Sequence, residues 1–216
     1  MSNDPVVIVA ARRSPIGSFQ GSLSALAAPD IAATVNRAVL ADSGVAATDI
    51  DEVIYGCVLP AGLGQAPARQ AARGAGIPDH VGATTVNKMC GSGMKSVMLG
   101  HDMLLAGSAG IILAGGMESM SNAPYILPKA RSGFRMGHGK VMDHMFLDGL
   151  ENKDDGRLMG EFAEDTADKY GFTREQQDTF SIESVRRALA ATESGAFAAE
   201  IVPVEVKSRR GSSVVD

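Results

Sequence analysis

The chain has 216 residues and is 45% apolar, enough for one large or two small domains with a substantial core. A formal net charge of −5 argues against general nucleic-acid binding, and no apolar run is long enough to cross a bilayer, so no membrane association is expected. Two cysteines do not make a disulfide framework, and Met1-Ser2-Asn3-Asp4-Pro5 lacks the basic start of a secretory signal, so a reducing cytoplasm fits best.

Val6-Val7-Ile8-Val9-Ala10 is a continuous apolar run, predicted as a strand buried on both faces and broken by Arg12-Arg13-Ser14-Pro15-Ile16-Gly17. Pro29-Asp30 opens a helix through Ile31, Val35, Ala38 and Val39, closed by Ser43-Gly44. Glu52 to Leu59 reads as a second strand, stopped by Pro60, and Pro67 to Gly74 as a short alanine-rich helix. A third strand is predicted over Ala83 to Met89. A helix follows from Gly91 to Gly107, with Met94, Val97, Met98, Leu104 and Leu105 on a broad apolar face. Gly110 to Gly116 is a fourth, fully apolar strand. This alternation over residues 1–116 predicts a mainly parallel sheet with helices on both faces.

Residues 120–160 change character: they are rich in Gly, Pro, Met and charge and carry little periodicity. A loop of that length inside a compact protein is usually functional. Two helices are predicted next, Gly160 to Tyr170 and Thr173 to Ser194, the second with a capping box of Thr173 and Gln176. Ile201 to Val206 reads as a strand, at an edge because of Pro203. Arg209-Arg210-Gly211 is a hairpin-like turn and Ser213-Val214-Val215 starts a returning strand.

Cys90 stands where the third strand meets its helix, in Thr84-Thr85-Val86-Asn87-Lys88-Met89-Cys90-Gly91-Ser92-Gly93. The first N–H groups of a helix carry partial positive charge and favour a thiolate, which is the nucleophilic form. The local pattern fits a covalent-catalysis site, and it equally fits a buried structural cysteine. The histidines supply no partner. His101 lies eleven residues along the helix, about 16 Å away at 1.5 Å per residue. His80 belongs to a loop beside Asp79. His138 and His144, with Asp143 and Asp148, match no familiar metal spacing, and no metal site is expected.

Several separated segments carry a resemblance. Asn87-Lys88-Met89-Cys90-Gly91-Ser92-Gly93 is similar to the acyl-cysteine motif of the thiolase family (acetyl-CoA acetyltransferases and 3-ketoacyl-CoA thiolases). Gly115-Gly116-Met117-Glu118-Ser119-Met120-Ser121 resembles the family's exit from its first half-domain. Asp148-Gly149-Leu150, Met159-Gly160 and Thr173 to Asp178 resemble its substrate-covering loop domain, and Glu200-Ile201-Val202-Pro203-Val204 the strand after it. With Ala10 to Phe19 included, the likeness spans nearly the whole chain, in the family's order.

The resemblance implies an α/β fold, a layered αβα half-core over residues 1–118 with an inserted, incomplete α+β loop domain over 119–216. It implies acyl transfer between CoA thioesters, with Cys90 as the acyl-accepting nucleophile and Leu150 and Met159 as apolar contacts to CoA. CoA is then a substrate, and no cofactor is expected. Leu158 stands where some biosynthetic members have histidine. Lys129, Arg131, Arg135 and Lys140 place four cations within twelve residues with no acid among them. They read as a solvated loop, a subunit contact or a counter-charge for CoA phosphates. The family's activating histidine, second cysteine and asparagine belong to a second half whose motifs are absent here. Cys57 reads as a buried strand cysteine. A second polypeptide supplying that half is therefore expected, as is a homodimer or tetramer. The chain alone should be unstable or aggregation-prone. A related ketoacyl synthase, a sterol-carrier-type thiolase and a non-catalytic CoA- or lipid-binding module are the alternatives.

Overall fold

A computed structural model describes residues 6–208 and 211–216. The leading Met1 to Pro5 and the Arg209-Arg210 part of the expected turn lie outside the described residues.

The first helix, α1 (Ala28–Ser43), carries Pro29 in its first turn and is capped by Gly44, whose φ of 67° is the left-handed conformation that glycine adopts without penalty. Strand β1 (Glu52–Gly56) is followed by α2 (Pro67–Gly74), β2 (Gly82–Val86), α3 (Ser92–Leu105) and β3 (Ile112–Gly116). The three strands form a parallel sheet in the order β2-β1-β3, with Tyr55 opposite Thr85 on one side and Gly115 on the other. As the central strand, β1 is buried on both faces. Val53, Tyr55 and Cys57 pack with Ala28, Ala32, Ala68, Ala71 and Ala72 of α1 and α2. The alternate residue Gly56 faces α3, where an added Cβ would meet the Ser92 backbone carbon at 2.4 Å. Small residues on α1 and α2 bring the helices close to the sheet. On that side Tyr55 donates its hydroxyl hydrogen to the buried Asn36 side chain, whose amide reaches Ala71 O at 3.5 Å.

Each core strand is shorter than its apolar run, and polar side chains set the ends. The run after Glu52 stops at Gly56 because the Glu118 carboxylate accepts the N–H groups of Val58 (2.8 Å) and Leu59 (2.9 Å). β2 stops at Val86 because Asn87 folds back and accepts Met89 N–H at 2.8 Å. β3 starts at Ile112 because Asp51 accepts the N–H groups of Gly110 (2.7 Å) and Ile111 (3.0 Å). Those bonds hold the Asp51 carboxyl below its usual range.

The predicted first strand does not form. Among the described residues Val6 to Ala10 has no ladder partner and no regular structure, and Val7 and Ile8 are 65% and 79% exposed. A strand needs a neighbour to satisfy alternate N–H and C=O groups. This run instead lines one wall of a cavity of about 1360 Å³, facing residues that include Ile111 to Ser121.

Beyond β3, a two-residue ribbon of β4 (Tyr125–Ile126) and β5 (Met142–Asp143) brackets residues 127–141. A single wide turn over Phe146–Leu150 follows, closed by Glu151 N–H to Phe146 O at 2.8 Å. Helices α4 (Met159–Tyr170) and α5 (Arg174–Glu193) agree with the sequence expectation to within a residue or so. The capping box forms: Thr173 Oγ1 accepts Gln176 N–H at 3.2 Å, and Gln176 Oε1 accepts Thr173 N–H at 2.9 Å.

The last hairpin pairs β6 (Val204–Ser208) with β7 (Gly211–Val215), antiparallel. Pro203 falls just before it. Val204 and Val206 bury against Leu23, Leu26 and Ile31, so the end of the chain packs on residues near its beginning. Arg13 strengthens the junction: Arg13 N–H bonds Glu200 O (2.9 Å), and Val202 N–H bonds Arg13 O (2.8 Å). Its guanidinium bonds Glu200 Oε1 at 2.8 Å and lies over the Phe197 ring. No described helix is long and apolar enough to cross a membrane.

Candidate functional site

Cys90 is exposed and free, two residues before α3 and just past the carboxyl end of β2. Open parallel α/β sheets present their ligand-binding crevices at that edge. The turn that carries it is tightly bonded. Gly91 N–H reaches Lys88 O at 3.2 Å and Ser92 N–H reaches Met89 O at 2.9 Å. Ser92 Oγ accepts Lys88 N–H at 2.9 Å and donates to Met89 O at 2.6 Å. Met89, immediately before the cysteine, has a φ of 50°. For a side chain of that size this conformation costs on the order of 1–3 kcal/mol and persists only where the surroundings impose it. The strain and the bonds together lift Cys90 out of the fold.

Glycines set the turn's position against the sheet. Beyond the Gly56 contact on Ser92, a Cβ on Gly116 would meet Gly93 Cα at 3.0 Å. The first turn of α3 therefore rests directly on the backbones of β1 and β3. Ser96 locks it there, with Oγ 2.6 Å from Gly93 O and 2.7 Å from Gly115 O.

The second sulfur is different. Cys57 is 1% exposed, and its Sγ lies 3.5 Å from Glu118 Oε1. Burial, then the nearby carboxylate, push its thiol up to about 12. It is a structural cysteine, buried as expected, although it lies one residue past the end of β1 and not within the strand.

The other expected residues lie apart from Cys90. Leu150 ends the wide turn and lines the large cavity, which Cys90 does not. Met159 is the first residue of α4 and is half exposed. No hydrogen bond among the described residues links either region to Cys90. Lys129, Arg131, Arg135 and Lys140 are all exposed, and none takes part in an ion pair among the described residues. His101 is exposed beside Asp102, and His80 and His138 are exposed as well. His144 alone is buried, with Nδ1 2.6 Å from Asp148 Oδ2. Among the described residues no three His, Cys, Asp or Glu side chains converge as a metal ion would require.

Three residues that organise the site escaped the sequence reading: Ser92, Glu118 and Asn87. Each stood inside a quoted motif. Their roles depend on which backbone N–H comes within reach, and local spacing does not state that.

The fold and the turn together define an α/β protein that presents a free thiol at the carboxyl edge of its sheet. A family model described as thiolase, N-terminal domain, matches residues 6–216. The chain belongs to the thiolase family. It is 52% identical over 206 residues to an acetyl-CoA acetyltransferase of Pseudomonas aeruginosa, covering 95% of this chain and 52% of that protein. An acetyl-CoA acetyltransferase of Escherichia coli K12 is 52% identical over 209 residues, 96% of this chain and 53% of the relative. Acetyl-CoA acetyltransferase IA of Candida tropicalis is 48% identical over 212 residues, 98% of this chain and 53% of the relative. The chain thus spans about half the length of the curated relatives it matches.

Proposed function

We propose that this chain is the nucleophile-bearing half of an acetyl-CoA acetyltransferase-like thiolase. Cys90 accepts an acyl group from one CoA thioester and passes it to a second acceptor. The observation that carries this reading is the exposed Cys90 thiol on a strained, hydrogen-bonded turn at the start of a helix.

The Cys90 sulfur, as thiolate, attacks the thioester carbonyl. The carbonyl electrons move to oxygen, return as the C–S bond to CoA breaks, and leave an acyl-cysteine and a CoA thiolate that takes a proton. A backbone N–H on the developing oxyanion is worth about 2.7–4 kcal/mol per donor in other enzymes, and the turn at Cys90 is a natural source of one. Transfer to the α-carbon of a second acetyl-CoA completes a Claisen condensation. In thiolysis the thiolate instead attacks the 3-keto carbon of a 3-ketoacyl-CoA. The C2–C3 bond breaks to an acetyl-CoA enolate that takes a proton at its α-carbon, and the acyl group on Cys90 then passes to the sulfur of CoA. The base and the second acid come from a complementing half, because His101, His80 and His138 all stand on the surface.

Leu150 and Met159 serve as apolar contacts for CoA on the loop domain, residues 119–216, and the exposed cations between residues 129 and 140 suit its phosphates. The complementing half covers apolar surface that this chain leaves open. That surface includes Met94 (73% exposed), Met98 and Leu105 on α3, and Phe180 (77%), Ile182 and Leu189 on α5. The assembled protein is a dimer or tetramer acting in the cytoplasm.

Incubation with acetyl-CoA followed by peptide mapping tests the proposal. An adduct of about 42 Da on Cys90, absent from Cys90→Ala, is expected for a covalent acetyl intermediate. CoA binding with no adduct would instead make the chain a non-catalytic binding module.

A further inference from the structure

We propose that His144 is a positioning residue for the turn Phe146–Leu150 and, through it, for the CoA contact at Leu150. The proposal rests on the thiolase reading above, in which Leu150 touches CoA.

His144 follows β5, and its N–H donates to Pro124 O at 3.1 Å, which fixes it to the ribbon. Its ring is buried at 5% exposure, and Nδ1 lies 2.6 Å from Asp148 Oδ2. An ionised carboxylate can only accept, so the proton of this bond sits on Nδ1. Nε2 is then left buried, and it has no hydrogen-bond partner among the described residues. An aliphatic side chain would fill the same space without leaving a polar atom unpaired. The imidazole's gain is the Nδ1 bond, and that bond reaches the centre of the turn.

The turn has the i to i+5 ring of a π-helix, closed by Glu151 N–H on Phe146 O. Such single turns are rare and concentrate at functional sites. Among the described residues, the His144–Asp148 bond is the only side-chain hydrogen bond made to this turn. At its far end, Gly149 approaches Leu59, with a Cβ position 3.4 Å from Leu59 Cδ2, and Leu150 lines the cavity. Met145, next to His144, lines the same cavity. His144 therefore ties the turn to the ribbon on one side, while Leu59 supports it on the other. Leu150 directly follows these two anchored residues, Asp148 and Gly149.

The test uses the assembled protein, isolated by a tag on this chain. His144→Leu keeps the packing and removes the Nδ1 donor. His144→Asn places an amide N–H near the old Nδ1 position. Leu150→Ala reports on the underlying reading. His144→Leu should raise the KM for CoA about fivefold or more, with the acylation rate of Cys90 at saturating acetyl-CoA held within about twofold. His144→Asn should recover most of the loss. If His144→Leu fails to fold, Asp148→Ala, which removes the acceptor on the exposed side of the pair, takes its place with the same expectation. An unchanged KM, or a loss in KM and saturating rate together without recovery by Asn, overturns the positioning role. If Leu150→Ala leaves the KM unchanged, the CoA contact itself is wrong and the inference goes with it. If Leu150→Ala raises the KM and neither His144→Leu nor Asp148→Ala does, only the inference falls.

Discussion

Two sulfurs in one chain show how position decides chemistry. Cys90 is exposed on a strained turn, whereas Cys57 is buried just past the end of β1 beside Glu118. Iodoacetamide at pH 8 should therefore modify Cys90 and leave Cys57 intact until the protein is unfolded, as peptide mapping with and without urea will show. The buried thiol also shapes alkaline stability. Cys57 holds its proton to about pH 12 in the folded state, while an unfolded thiol releases it near pH 9. Above that lower value the unfolded chain binds fewer protons than the native one, so stability falls as pH rises. Cys57→Ala should flatten the fall between pH 9 and 11 in urea titrations. A fall of the same slope in that variant would remove Cys57 as its cause. Sequence reading separated the two sulfurs because one follows a β-branched run and the other sits inside one. It left Ser92, Glu118 and His144 without roles, because each acts on a group distant in sequence or on an amide chosen by the turn.

At the scale of elements, polar side chains fix the strand ends. Apolar periodicity located β1, β2 and β3 correctly and overran each by two or three residues. Glu118, Asn87 and Asp51 take N–H groups that a longer strand would have needed. Asp51, held below its usual range by Ile111 and Gly110 N–H, contributes stability that is present above about pH 4 and lost as pH falls. Asp51→Asn should thus lower stability at neutral pH and weaken its dependence on acid, measured by thermal unfolding from pH 3 to 7. The seating of α3 is stricter. A methyl group on Gly56 would enter the Ser92 and Gly93 backbones at 2.4 and 2.6 Å. Overpacking of this kind costs about 1–3 kcal/mol, and more where backbone must yield. Gly56→Ala should destabilise by at least that amount in urea unfolding and slow Cys90 alkylation in whatever fraction stays folded. Wild-type alkylation rates in that variant would separate the thiol's presentation from the seating of the helix.

At the scale of the molecule, the one strand expected and not found is the most informative. Val6 to Ala10 has the composition of a buried strand, and here it faces open space across a cavity from β3. Composition records what a segment can bury, and burial also needs a neighbour. The same applies to the apolar face of α3, whose periodicity is legible and whose Met94, Met98 and Leu105 stay exposed among the described residues. An environment-sensitive dye such as ANS should bind the isolated chain strongly. Adding the complementing half proposed above should suppress that signal and raise the unfolding temperature. Weak dye binding by the chain alone would mean that its own surfaces, or a second copy, already close these faces.

The clasp between Arg13 and residues 197–202, backed by Leu23 against Val204 and Val206, joins the two ends of the sequence. The exposed stretch between the β4–β5 strands lies outside that clasp. Limited digestion between residues 128 and 140 should therefore give two bands on a denaturing gel yet one species on a sizing column. With that outcome, continuity of the polypeptide through the loop is dispensable for cohesion, and tags, labels or tethers could be inserted there while the thiol-bearing turn stays in place.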